Sequence, residues 1–435
     1  MSSWLPVDPS SHFSPNNIPF GIVSHPGSGG KRVAATRIGE HVVDLSVLEA
    51  ERLLATAFGW AEEEQQRRVF SEPTLNAFAA LAAKTRSAVR LAVQELLSSA
   101  STRLRDDQDL RTRAVFALSS VETHLPLRIP DFVDYSVFPD HGLGASEAIF
   151  GKRELPPSWN TLPMAYNGRA STVSVKEEIV RPQGQTRAFS AAREVGVGES
   201  KALDWEFEIG AFVAESTTDG EILTPETAAS RIFGFVLLND WSARDIQGFE
   251  MVPLGPFNGK SFATTISPWV VLPDALEPFR TGKPALLEGT PFQQAEYLRE
   301  DPSTKNNYAI ECKTSLALSS DPTVHHEISR ASFAAAFWSF PQLLAYQTFS
   351  GTPINTGDLL GSGTISNEPP SARGCMLEMG KGGKSPIRVG EEERGWIQDG
   401  DEVVFSAWAG EEGARVGFGE LKGKVLPASN LRLAK

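Results

Sequence analysis

The residues best suited to chemistry are acidic, and their spacing lets them act together. In LDWEFEIGAFV (203–213), Asp204, Glu206 and Glu208 alternate with Leu203, Trp205, Phe207 and Ile209. A strand would put the three carboxylates on one face. Like charges two residues apart lie about 7 Å from each other, and each such pair costs roughly 2 kcal/mol at a surface-like dielectric. Water on a solvated strand face can absorb that cost, and so can a bound cation. In RIFGFVLLNDWSARDIQ an apolar run ends abruptly at Asn239-Asp240, as a buried strand does when it delivers a polar group. Asp240, Arg244 and Gln247 recur at i, i+4 and i+7, which is one face of a helical turn and most often a structural ion pair. EMVPLGPFNGKSFATTISPWVV follows, a Gly/Pro-rich loop bringing Lys260 and Thr264 beside small residues that permit close backbone approach. VDYSVFPDHG holds Asp134 and His141 in a loop-like context. GSGTISNEPPSARGCMLEMG puts Thr364 after a Gly-Ser-Gly turn and Glu378 inside an apolar run, where it either faces solvent on an edge strand or is paired.

Short strands must hold most of these groups. IPFGIVSH, RVAATRIG and HVVDLSVL read as strands of a small barrel or sandwich. A helical stretch opens at Ser71-Glu72-Pro73, with Leu75, Phe78, Ala82, Val89, Val93, Leu96 and Leu97 mostly on one face. HLPLRIPDF breaks the periodicity, which sets a boundary between residues 1–125 and 126–435. The second part is rich in β-branched and aromatic runs. Asp399-Gly400 reads as a hairpin turn, and RASFAAAFWSFPQLLAYQ is the clearest helix there. The 435 residues carry a net charge of −13, which argues against nucleic acid and anionic membrane as partners. No apolar run reaches the ~18 residues of a membrane span, and the N-terminus lacks a signal-peptide pattern. Two cysteines, Cys312 and Cys375, exclude a disulfide framework and a thiolate zinc site and suit a cytoplasmic setting. Oxygen-ligated metal is the class that remains.

These stretches, in this order, resemble the fumarylacetoacetase family nearly end to end. The likeness rests on IPFGI, VVDLSVL, STRLRDD and HLP, then NGRAS, LDWEFEIGAFV, LLNDWSARDIQ, VPLGPFNGKSFATTISPWVV, GDLLGSGTIS, MLE, DGDEV and GFGE. WSARDIQ followed by PLGPF and GKSF is a highly specific signature. The resemblance implies a β-rich α+β chain, with a small SH3-like N-terminal barrel domain and a mixed β-sandwich-roll catalytic domain, assembled as a homodimer. It implies metal-dependent hydrolysis of a carbon–carbon bond in a 1,3-diketone acid. By resemblance Asp134, Glu206, Glu208 and Asp240 are ligands of Mg²⁺ or Ca²⁺, Lys260 and Thr264 lie close to the cation, and Asp204 is structural. His141 oriented by Glu378 is the water-activating base, and Arg244, Gln247 and Lys260 meet the alkoxide. Tyr166, Gln247 and Thr364 are expected at the substrate, together with the positions of Ser136 and Met251.

Those last two positions depart from the family, which carries substrate-contacting tyrosines there. Here Tyr135-Ser136 and Phe249-Glu250-Met251 occupy them, and Asn167 replaces a histidine. HGLGASEAIFGKRELPPSW also differs in spacing where the family carries a carboxylate-gripping arginine. Lys152 or Arg153 are candidates to replace it. The expectation therefore divides between fumarylacetoacetate itself and a less charged or bulkier diketone such as an acylpyruvate. The His141–Glu378 pair favours hydrolysis over the β-keto acid decarboxylases and isomerases of the same fold. Four carboxylates argue against a non-catalytic scaffold, and neighbours on one strand face are poorly placed for a glycosidase.

Overall fold

The protein is described by a computed structural model covering residues 2–59, 68–188, 194–285 and 293–430. Among these residues the N-terminal part forms a five-stranded antiparallel sheet, ordered Val115–Ala117, His41–Asp44, Val33–Ile38, Phe20–Ser24, Glu122–His124. The first three strands anticipated from alternation are present. Asp44 then ends the third by capping the helix Leu45–Ala50, accepting from Ser46 N and Val47 N. The expected helical stretch starts later than Pro73. A single turn, Asn76–Ala79, precedes the main helix Ala83–Leu97, whose N-cap is the exposed Ala82.

The body holds two larger sheets. A mixed seven-stranded sheet runs Met164–Asn167, Phe132–Ser136, Leu359–Gly361, Phe207–Val213, Ile232–Asp240, Thr264–Ile266, Val173–Ser174. A five-stranded sheet runs Asp321–Ser332, Glu311–Leu318, Glu402–Ala409, Val416–Leu426, Glu178–Val180. The central strand Ile232–Asp240 is buried throughout, and its alternation sorts its side chains between two cores. Ile232, Phe235 and Leu237 join the core shared with the second sheet. Phe233, Val236 and Leu238 join Phe132 and Phe212 in a core with Phe20, Phe70, Phe78, Val89 and Val93 of the N-terminal part. The sheet is thus apolar on both faces, and its polar groups can gather only at strand ends.

Two anticipated elements differ. Asp399-Gly400 is not a hairpin turn, because Glu402–Ala409 pairs with Glu311–Leu318 and Val416–Leu426, and Asp399 instead binds Arg181 at 2.6 Å. Of RASFAAAFWSFPQLLAYQ only Phe340–Thr348 is α-helical, since its start completes a strand and a 3₁₀ turn.

The segment before the first strand is strapped to the second sheet through His12, whose Nδ1 accepts from Gly419 N at 3.2 Å and whose ring lies 5.5 Å from Trp408. Burial, with Arg415 nearby, pushes its pKa from 6.5 down to about 4. The unfolded chain gains that proton as pH falls below about 6.5, whereas the folded chain waits until about 4, so stability is lost across this window. His12→Gln is expected to flatten that loss, and urea midpoints measured over the same pH range check it.

Candidate active site

The four carboxylates come from different strands and meet at one end of the seven-stranded sheet. Asp134 lies in Phe132–Ser136, Glu208 in Phe207–Val213, and Asp240 closes Ile232–Asp240. Glu206 sits in the short break between Leu203–Asp204 and Phe207–Val213, with its carbonyl accepting from Asp240 N at 3.2 Å. All four side chains are buried, so the solvated strand face is excluded. One oxygen from each lies within 4.8 Å of the others. Asp204, on the same alternation, does not join them.

Backbone geometry permits this closeness. Gly361 pairs with Asp134 on one side and Gly210 on the other. A Cβ on it would lie 2.3 Å from Asp134 Oδ1 and 2.7 Å from Glu208 Oε2. Burial, followed by the charge of Asp240, pushes the Asp134 carboxyl well above the usual range. Burial and then Asp134 do the same to Glu208. No hydrogen-bond partner reaches Asp134 Oδ1 or Glu208 Oε1. Buried, unpartnered carboxylate oxygens facing one another are a fit for a hard divalent cation.

Cations of the chain serve the rest of the cluster. Lys260 Nζ donates to Glu206 Oε2 and to Asp240 Oδ2, the latter at 2.5 Å. Arg244 Nη1 lies 2.7 Å from Glu206 Oε1. Although burial opposes ionisation of Glu206, Lys260 and Arg244 outweigh it and hold that carboxyl below its usual value. The same pairing raises Lys260 and Arg244 above theirs, against the effect of burial. The anticipated Asp240–Arg244 helical pair does not form. Asp240 ends a strand while Arg244 begins the helix Arg244–Glu250, so the two diverge. Arg244 does reach Gln247, donating from Nη1 to Oε1 at 3.1 Å. Thr264 Oγ1 lies 3.4 Å from Asp240 Oδ1. Tyr166 Oη sits between Asp134 Oδ2, at 3.0 Å, and Asp240 Oδ2. Burial, then the charges of Asp134 and Asp240, raise its phenol well above its usual pKa.

His141 is helical, in the first turn of Pro139–Phe150, where Pro139 opens the helix despite Gly142 and Gly144. Its Nδ1 meets Glu378 Oε2 at 2.8 Å. Glu378 is not on an edge strand. It sits buried in the short helix Met376–Met379, and its Oε2 also accepts from Ser366 Oγ at 2.7 Å and Cys375 Sγ at 3.2 Å. The reading of residue types missed Ser366 and Cys375. Their signal was nearness to Thr364 and Glu378 within GSGTISNEPPSARGCMLEMG.

Through Asp134 and Glu206 on one hand and His141 on the other, the two groups reach one cleft of about 710 Å³. Its walls include Asp134, Ser136, His141, Tyr166, Glu206, Gln247, Met251, Lys260 and Thr364. The Oγ1 of Thr364 is buried there without a partner. Tyr135 turns its hydroxyl away, to Leu343 O at 3.3 Å, so it does not replace a phenol at Ser136. Lys152 and Arg153 are exposed and do not line the cleft, and Arg153 faces Glu147 at 3.5 Å. Met164, Leu254 and Phe257 form an apolar part of the wall that residue types did not anticipate.

Residues 16–126 match the family described as Fumarylacetoacetase N-terminal, and residues 141–426 match Fumarylacetoacetate (FAA) hydrolase C-terminal. The chain is similar to the fumarylacetoacetase of Aspergillus fumigatus, at 41% identity over 443 residues, 99% of this chain and 100% of the relative. It is 39% identical to that of Caenorhabditis elegans, over 98% of this chain and 100% of the relative. The human fumarylacetoacetase is 38% identical over 98% of this chain and 99% of its own length. A crystal structure from Mycobacterium smegmatis shares the fold, with a TM-score of 0.51 at 16% identity, covering 94% of this chain and 99% of that one.

Proposed function

The chain belongs to the fumarylacetoacetase family, and from that premise we propose that it hydrolyses 4-fumarylacetoacetate to fumarate and acetoacetate, the last step of tyrosine breakdown. One observation carries this reading. Asp134 and Glu206 of a buried four-carboxylate cluster line the same cleft as His141 of the His–Glu pair, so a water activator shares its cleft with a candidate cation site.

With Nδ1 held by Glu378, His141 keeps Nε2 as the acceptor for a proton from water. The water oxygen adds to the carbonyl carbon that becomes the fumarate carboxyl. The carbon–carbon bond then breaks, its electron pair leaves on the acetoacetate carbon, and a proton is returned there. Gln247 accepts from Arg244 through Oε1, which leaves its NH₂ to donate to the alkoxide. Lys260, with two of its protons on Glu206 and Asp240, has a third for the same purpose. Asp134, Glu206, Glu208 and Asp240 would hold a divalent cation, Mg²⁺ or Ca²⁺, which when bound supplies Lewis-acid polarisation of the dicarbonyl oxygens. Tyr166, Ser136, Met251 and Thr364 are the substrate-facing positions in this reading. Kinship also leads us to a homodimer in the cytoplasm, with an SH3-like domain over 1–125 and a β-sandwich-roll domain over 126–435.

The test is loss of the conjugated-diketone absorbance of fumarylacetoacetate with Mg²⁺, with Ca²⁺ and with chelator. Rapid, ion-dependent loss is expected. A folded, ion-bound protein that leaves the diketone untouched overturns the assignment. One observation favours a second substrate: neither Lys152 nor Arg153 lines the cleft, whereas Met164, Met251, Leu254 and Phe257 do. An acylpyruvate, with one carboxylate where fumarylacetoacetate has two, whose kcat/KM exceeds that of fumarylacetoacetate by about tenfold or more would select that retuned pocket.

A further inference from the structure

Asp204 lies two residues short of the acidic cluster and is completely buried. Its Oδ2 accepts from Arg244 Nε at 2.9 Å and lies 2.8 Å from Nη2. The same oxygen accepts from Leu377 N at 2.9 Å, and Oδ1 accepts from Met376 N and Trp205 N, both at 2.8 Å. One carboxylate therefore grips both the guanidinium of Arg244 and the first residues of the helix Met376–Met379. Each tether ends in chemistry. Arg244 continues to Glu206 and Gln247, and one residue beyond Leu377 the carboxylate of Glu378 meets His141.

We propose that Asp204 is a positioning residue that sets the register between the His141–Glu378 pair and the Arg244–Gln247 donors. The inference rests on the function proposed above. Burying an anion to anchor one strand to one arginine would not require the two amide contacts to Met376 and Leu377, and a buried ion pair is weak support for stability in any case. Those amides make Asp204 a bridge. The base and the alkoxide donors must act on the same carbonyl, and a displacement of about 1 Å between them is worth about 10²-fold in rate.

The test is a double-mutant cycle on kcat per folded molecule. Asp204→Asn keeps the shape but not the charge, and Asp204→Glu keeps the charge but lengthens the tether by one methylene. Each is expected to lower kcat by about 10²-fold, with KM moved by less than about threefold. In an E378Q background the further loss is expected to shrink to within about fivefold, because a register matters only when both partners work. Wild-type kcat in a folded variant, or a full additive loss in E378Q, overturns the proposal. If one variant does not fold, the other decides. Amide hydrogen exchange at Met376 and Leu377 is read on the same proteins without substrate. If wild type is inert on fumarylacetoacetate, the substrate assignment fails alone. Faster exchange there in D204N then upholds the bridge, and unchanged exchange removes it.

Discussion

Replacing His141 by alanine is expected to slow turnover of fumarylacetoacetate by about 10²–10⁴-fold, the range that general acid–base catalysis contributes. The structure separates this chemical loss from a folding defect. Glu378 Oε2 would keep Ser366 Oγ at 2.7 Å and Cys375 Sγ at 3.2 Å as donors, so the buried carboxylate is not orphaned. The stability change should stay within about 1 kcal/mol. Divalent-ion affinity should hold, since the imidazole takes no part in the four-carboxylate cluster. Steady-state kinetics, a thermal melt and an ion titration on one preparation check all three. Retention of more than about a tenth of wild-type kcat would remove His141 as the base.

Gly361→Ala should weaken ion binding more than its single added methyl suggests. The new Cβ would need the space 2.3 Å from Asp134 Oδ1 and 2.7 Å from Glu208 Oε2. Neither carboxylate can retreat freely, because Asp134 belongs to a strand paired with Gly361 and Glu208 to one paired with its neighbours. Calorimetric titration is expected to find divalent-ion affinity about 100-fold weaker or worse, with activity partly recovered at high ion concentration. Gly198→Ala is the control, since nothing lies within 4 Å of a Cβ there. Equal behaviour of the two variants would mean that crowding at Gly361 does not govern the cluster.

Spacing made the acidic residues legible but not their surroundings. Asp204, Glu206 and Glu208 alternate as a strand should, yet alternation cannot tell a solvated face from a buried one when both faces of the sheet are covered. Here Phe207 and Ile209 enter one core and Phe212 the other. The Asp240–Arg244 spacing suggested a helix across a point where a strand actually ends, and strand-to-helix junctions carry no period of their own. His141 looked like a loop residue because Gly142 and Gly144 weaken helix propensity, and the structure overrides that by seating the helix Pro139–Phe150 beside Met376–Met379. Likewise Glu378 could be read as exposed or paired. Only tertiary contact with a residue more than two hundred positions away decides it.

The way Phe132, Phe212, Phe233 and Val236 interleave with Phe20, Phe70 and Phe78 bears on how this chain can be cut. A fragment starting near residue 126 would keep every carboxylate of the cluster, yet it would present the back of its central sheet to water as a greasy wall. Burial of each such phenylalanine is worth roughly 2–3 kcal/mol. The fragment should therefore precipitate or recruit chaperones instead of behaving as a minimal enzyme.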